Sequence, residues 1–218
     1  MNGKMRVRHL SEVANLLAVA VALEVFSMVF LPEFRLGGGI TLASCAPILL
    51  VSYRRGYGWG ILSGVVFGLA KLALNFGFIR SICDPAVLGA DYALKTGLSV
   101  LLDYFLAYAA MGLGGIFRQK NLHRRTKFIL GALVALAVRF AAHLVSGYVV
   151  YSSLAADFFE NSGISMITPG LVAGVSEGML PLAFTLIYNS LYMIPEILIT
   201  LFAVWMLSGN RKVVTRAS

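Results

Sequence analysis

Charge is scarce in this chain. Only 13% of its 218 residues are charged and 59% are hydrophobic, whereas a soluble domain carries about 25% charged residues and about 45–50% apolar ones. A soluble domain of this size could not hide so much apolar surface. Soluble enzymes, nucleic-acid binders and disordered regulators are therefore excluded. Cysteine is nearly absent: Cys45 and Cys83 form neither a metal-ligand spacing nor a disulfide framework. Cys45 lies in an apolar run and reads as a small core residue. The motifs of several enzyme classes are missing too. No G-x-x-x-x-G-K-[ST] is present, so the chain has no ATP-hydrolysing loop of its own, and no H-E-x-x-H points to a zinc protease. Serines beside glycine, such as Ser63-Gly64, lack an oxyanion-type motif. No paired acidic repeat suggests phosphotransfer to lipid.

What is there is a series of long apolar runs. A spanning helix needs about 20 apolar residues, and the runs predict six spans in one membrane domain over residues 1–218. They cover about 10–31, 39–53, 56–79, 92–117, 128–152 and 178–208. The fold class expected is all-α and integral to the membrane. The first run follows a basic N-terminus, but it is too long for a signal-peptide core and no small-residue cleavage site follows, so it reads as a retained helix. A more polar stretch, 155–170, separates the last two spans.

The cations set the orientation. With the N-terminus inside, the inner segments hold Lys4, Arg6, Arg8, Arg54, Arg55, Arg118, Lys120, Arg124, Arg125, Lys127, Arg211, Lys212 and Arg216. The outer loops hold only Arg35 and Arg80, and Lys71, Lys95 and Arg139 fall within spans. Both termini are then expected to be cytoplasmic, and the net charge of +8 implies no nucleic acid. Two small-residue stripes recur at intervals of four: Gly56, Gly60, Gly64 and Gly68 on the third span, and Ala14, Ala18 and Ala22 on the first. Such stripes permit close helix approach. They serve either packing within the bundle or, for the alanine face, docking of another membrane protein.

Ionisable residues at bilayer depth are costly and usually functional. The candidates are Glu24, Lys71, Lys95, Asp103, Arg139, His143 and Glu196. At 1.5 Å per residue, Asp103 lies roughly 21 Å and His143 roughly 22 Å from the inner ends of their helices. The two share a level in the outer half of the membrane. Arg139, His143, Gly147 and Tyr151 follow one another at intervals of four on one face. The glycine between an imidazole and a phenol is expected to leave room for a flat ring. Asp103 and Tyr104 join from the fourth span, and Asn189, flanked by Tyr188 and Tyr192, from the sixth. A carboxylate, an amide, a histidine and several aromatics suit a cationic heteroaromatic solute. Each residue also has a bland alternative. Asp103 could pair with Arg139 or Lys71, and His143 could be a satisfied bundle histidine. Tyr104 and Tyr151 could be interfacial belt residues, Asn189 an interhelical hydrogen bond, and Glu196, after Pro195, the cap of a kinked segment.

Four stretches carry a resemblance. They are Ser44-Cys45-Ala46-Pro47-Ile48-Leu49-Leu50 with Tyr53-Arg54-Arg55-Gly56, Leu102-Asp103-Tyr104 to Gly115-Ile116-Phe117-Arg118-Gln119-Lys120, Arg139-Phe140-Ala141-Ala142-His143 to Gly147, and Tyr188-Asn189-Ser190-Leu191-Tyr192-Met193-Ile194-Pro195-Glu196. Through them the chain resembles, over nearly its whole length, the thiamine-specific substrate-binding subunit (S-component) of energy-coupling factor (ECF) vitamin transporters. The resemblance implies a six-helix fold in the cell membrane, with thiamine as transported ligand rather than cofactor. It implies as partners a transmembrane coupling protein with two ATPase subunits, and the missing ATPase and hydrolase motifs predict no enzymatic activity for this chain. It places a thiamine pocket near the outer surface, built from Asp103, Tyr104, Arg139, His143, Gly147, Tyr151 and Asn189. It sets Ala14 and Ala18 on the face that meets the coupling protein.

The chain departs from the family pattern in places. Asp103 stands for a glutamate of some members, and Tyr151 for a stacking Trp. A Trp before the second helix is replaced within Gly37-Gly38-Gly39. Phe184 stands for a Tyr, and Ala93, beside Tyr92, for an aromatic. On this reading Asp103 neutralises the thiazolium or binds the aminopyrimidine, and His143 and Tyr151 flank the rings. Tyr104 and Asn189 bond polar edges, and the loop 31–39 lids the site. The residues leave other readings open: a stand-alone transporter relaying protons through Asp103, His143 or Glu196; an intramembrane enzyme or vitamin sensor; or the same scaffold holding a thiamine precursor or related vitamin.

Overall fold

The computed structural model describes residues 3–31, 38–161 and 175–214. Every regular element among them is helical. Helix α1 (Gly3–Phe30) is one unbroken rod. α2 (Ala46–Arg55) carries Pro47 in its first turn, where a missing N–H costs no hydrogen bond. It stops at Gly56, whose φ of 95° favours glycine. α3 (Tyr57–Leu74) follows, then the short α4 (Phe76–Ile82) and α5 (Pro85–Leu88), the latter capped by Asp84 accepting from the Ala86 amide at 2.8 Å. α6 (Tyr92–Gly115) changes pitch along its length. It is α-helical at first, π-helical over Val100–Leu106 and 3₁₀-helical over Ala110–Gly115. α7 (Arg124–Val150), α8 (Ala155–Asn161), α9 (Leu180–Gly209) and α10 (Arg211–Val214) complete the order.

Among the described residues five helices are long and apolar enough to cross a membrane: α1 from Val7, α3, α6, α7 and α9. Their surface is inverted relative to a soluble bundle. On α9, Leu198, Phe202 and Met206 are exposed while Glu196, Thr200 and Ser208 are buried. Polar groups inside and hydrocarbon outside is the arrangement a bilayer demands.

The expected second span, 39–53, differs. Only ten residues from Ala46 are helical, about 15 Å of rise, half the hydrocarbon thickness of about 30 Å. The preceding segment is irregular and includes Ala43 at φ 57°. Its polar groups are satisfied inside the protein: the Leu42 amide donates to Ser27 Oγ at 2.9 Å and Thr41 Oγ1 donates to Glu196 Oε1 at 2.9 Å. Residues Ala46 to Ser52 are all buried. Non-helical backbone is tolerated at this depth because protein, not lipid, surrounds it. The third expected span is also shorter, since α3 breaks at Asn75.

The helices alternate in direction, so the bundle has two distinct ends. At one, Arg54 and Arg55 of α2 pair with Glu12 of α1, the first at 2.9 Å. There too the Arg124 side chain of α7 donates to the Gly209 carbonyl of α9. This end collects the basic residues. At the other end α1 and α3 close, α6 and α9 begin and α7 closes. α3 and α6 meet through glycines, because a Cβ at Gly64 or Gly68 would strike the Tyr108 or Tyr104 carbonyl. The third-span stripe thus serves packing within the bundle. Between the ends lies a core of Ile48, Leu49, Phe67, Met111, Phe128 and Leu136.

Candidate functional site

The π-helical stretch of α6 carries Asp103. A π turn widens the ladder and re-aims side chains, and such turns recur at functional sites. The Asp103 carboxylate faces α7. Its Oδ1 lies 2.8 Å from His143 Nδ1. Its Oδ2 accepts from Ser99 Oγ at 3.0 Å and from Ser146 Oγ at 2.5 Å. Ser99 donates to the carboxylate, so the Tyr151 hydroxyl, 2.7 Å away, donates to Ser99. An ionised carboxylate only accepts, so Nδ1 of His143 carries the proton. That leaves Nε2, which is buried without a hydrogen-bond partner.

This cluster forms one wall of a cavity of about 100 Å³. All seven residues expected to bind a solute line it: Asp103, Tyr104, Arg139, His143, Gly147, Tyr151 and Asn189. Gly38 and Gly39 border it as well, and an aromatic wall closes the α9 side. There Tyr192 meets the His143 ring edge-on at 6.3 Å, and Tyr188 stacks on Phe184 at 5.7 Å.

Several residues do something other than expected. Asp103 pairs with neither Arg139 nor Lys71. Arg139 is bound bidentately by Glu196 of α9, at 2.9 and 3.0 Å, with both side chains almost fully buried. The same guanidinium lies 4.9 Å over the Tyr108 ring and donates to its hydroxyl. Glu196 is therefore the partner of a buried cation and not the cap of a kink. Lys71 pairs with Glu24 of α1 at 2.6 Å and lies 5.5 Å from the same Tyr108 ring. Asn189 bonds within its own helix. Its Nδ2 donates to the Thr185 carbonyl and Oγ1, and its Oδ1 accepts from the Tyr192 hydroxyl at 2.6 Å. At Gly147, which lines the cavity, a Cβ would collide with Thr185 Oγ1 and crowd Asn189. This glycine seats α9 against α7.

Ala14, Ala18 and Ala22 form an exposed stripe on α1. Of the loop expected to lid the site, residues 32–37 lie outside those described, as does 162–170 of the polar stretch. Ser99 and Ser146 were not foreseen, although their spacing offered a signal. Ser99 stands four residues before Asp103 and Ser146 three after His143, the separations that share a helical face.

Comparison with known proteins bears on this site. The family model described as "Thiamine transporter protein" matches residues 10–176. The thiamine transporter ThiT of Bacillus subtilis (strain 168) is 29% identical over 208 residues, which cover 91% of this chain and 89% of that protein.

Proposed function

Because this chain belongs to the thiamine transporter protein family, we propose that it is the membrane-embedded thiamine-binding subunit of an ECF-type uptake system. The observation that carries the reading is the cavity that brings together Asp103, His143 and an aromatic wall. Thiamine joins a cationic thiazolium to an aminopyrimidine. Asp103, fixed by three donors, balances the cation, as a carboxylate at low dielectric does far better than water. The free Nε2 of His143 accepts from the exocyclic amine. Tyr151, Tyr188 and Tyr192 offer ring faces and edges to both heterocycles. Arg139 lines the cavity, but its charge is committed to Glu196, so its part is to hold the wall in place. Asn189 likewise positions Tyr192.

The coupling assignment rests on two features. The chain lacks a nucleotide-binding loop, so energy would come from a partner carrying two ATPase subunits. The exposed Ala14 and Ala18 offer a close-packing face to a transmembrane coupling protein. The positive-inside rule puts the basic end, with both chain termini, in the cytoplasm and the cavity toward the outside of the cell membrane. The segment 38–55 would then complete a sixth passage, half irregular and half α2.

The test is calorimetric titration of the purified protein with thiamine. Wild type is expected to bind tightly. Asp103→Asn is expected to lose about 1.5–3 kcal/mol, the worth of a hydrogen bond or contact to a charged group, or roughly 10- to 150-fold in Kd. An Asp103→Asn protein that binds thiamine as wild type does would overturn the site assignment. Absence of binding to wild type would overturn the ligand.

A further inference from the structure

A second cavity, of about 50 Å³, adjoins the one that holds Asp103. Lys71, Asn75, Phe78 and Tyr104 line both, so the two are neighbouring lobes of one chamber. Glu24 of α1 lines the second lobe. Its side chain is only 3% exposed, and its Oε1 receives the Lys71 ammonium. Its Oε2 is buried and has no hydrogen-bond partner. The contrast with Glu196 is informative: there both carboxylate oxygens are bound by the guanidinium. A buried carboxylate oxygen without a donor is costly. Beside a ligand chamber, it is an acceptor held ready for a donor that the ligand brings.

We propose that Glu24 is a specificity-determining residue, whose free Oε2 receives the alcohol of the substrate's hydroxyethyl arm and rejects the phosphate ester of that alcohol. The inference rests on the thiamine reading above and deepens it. With the two rings in the lobe of Asp103 and His143, the arm is the part small enough for the second lobe. Its hydroxyl is the one donor that arm carries. A phosphate ester would instead set an oxyanion against a carboxylate at low dielectric, where like charges repel strongly. Among the described residues that line this lobe the one positive charge is that of Lys71, which is already matched to Glu24. A site built around a buried acceptor discriminates sharply against an analogue that lacks the donor, more than a greasy pocket does against a missing methylene.

The experiment compares three ligands by calorimetry on the purified full-length protein: thiamine, thiamine monophosphate, and an analogue with an ethyl arm in place of hydroxyethyl. Wild type is expected to bind the ethyl analogue at least about tenfold more weakly than thiamine. It is expected to bind the monophosphate at least about a hundredfold more weakly. In Glu24→Gln, whose amide can donate, the monophosphate penalty is expected to shrink by about tenfold or more. Equal binding of thiamine and the ethyl analogue by wild type overturns the proposal without any variant, so a Glu24→Gln protein that fails to fold does not shelter it. A folded Glu24→Gln protein with the discrimination of wild type overturns it as well. Wild type that binds none of the three overturns the thiamine reading itself, and the inference falls with it.

Discussion

At the scale of single residues, the buried charges of this chain are arranged as pairs, and the pairing partners decide what each residue can do. Arg139 and Glu196 share four hydrogen-bonding atoms in a place from which water is nearly absent. Removing one partner leaves the other stranded. Glu196→Gln is expected to destabilise the protein by about 3–5 kcal/mol, seen as a lower midpoint in thermal unfolding of the detergent-solubilised protein. Replacing both residues by methionine is expected to recover most of that loss, because two apolar side chains of similar length leave no uncompensated charge. The levels of these residues were legible in the sequence. Counting residues along helices puts Asp103 and His143 at one height, and they are hydrogen-bonded. The same count puts Arg139, 15 residues into α7 from Arg124, level with Glu196, 13 residues before Gly209, at about 22 and 20 Å. Proline at position 195 points to a backbone role for Glu196 instead. Height alone does not say which of several level side chains face one another. That depends on the rotation of each helix about its axis, and in α6 the π stretch resets that rotation just where Asp103 lies.

At the scale of elements, glycine spacing was the more reliable signal and apolar length the less reliable one. The α3 stripe meets α6 backbone at Gly64 and Gly68, whereas a Cβ at Gly58 would meet nothing within 4 Å. Gly64→Ala is therefore expected to cost about 1–3 kcal/mol through overpacking, while Gly58→Ala is neutral or slightly stabilising because alanine favours the helix. Thermal unfolding of the two variants side by side checks this. The run 39–53 is as apolar as a span, yet its first half is not helical. Ser44 donates to Thr41 Oγ1, and Thr41 donates to Glu196, in place of a regular helical backbone here. Small hydroxylated residues compete with the backbone in this way, and a reading of hydropathy alone cannot see it.

At the scale of the whole molecule, the chain is polarised. Its cations gather mostly at one end, its largest described polar chamber lies toward the other, and an exposed alanine stripe runs along the outside of α1. If that stripe is where a coupling protein docks, Ala18→Trp should abolish thiamine uptake in cells while leaving the thiamine Kd of the purified subunit within about twofold of wild type, a change below 0.5 kcal/mol. Loss of binding in step with loss of uptake would instead make the stripe part of the fold. The position of the chamber itself follows from the glycine seam. Going along α3 away from the basic end, Gly60, Gly64 and Gly68 let two backbones touch. Beyond Gly68 the residues that face α6, Lys71 and Asn75, are full-sized, and both line the chamber. The two helices behave as a zip whose teeth run out. The void begins at the last tooth, so the place where a solute can lodge is set by where the small residues stop.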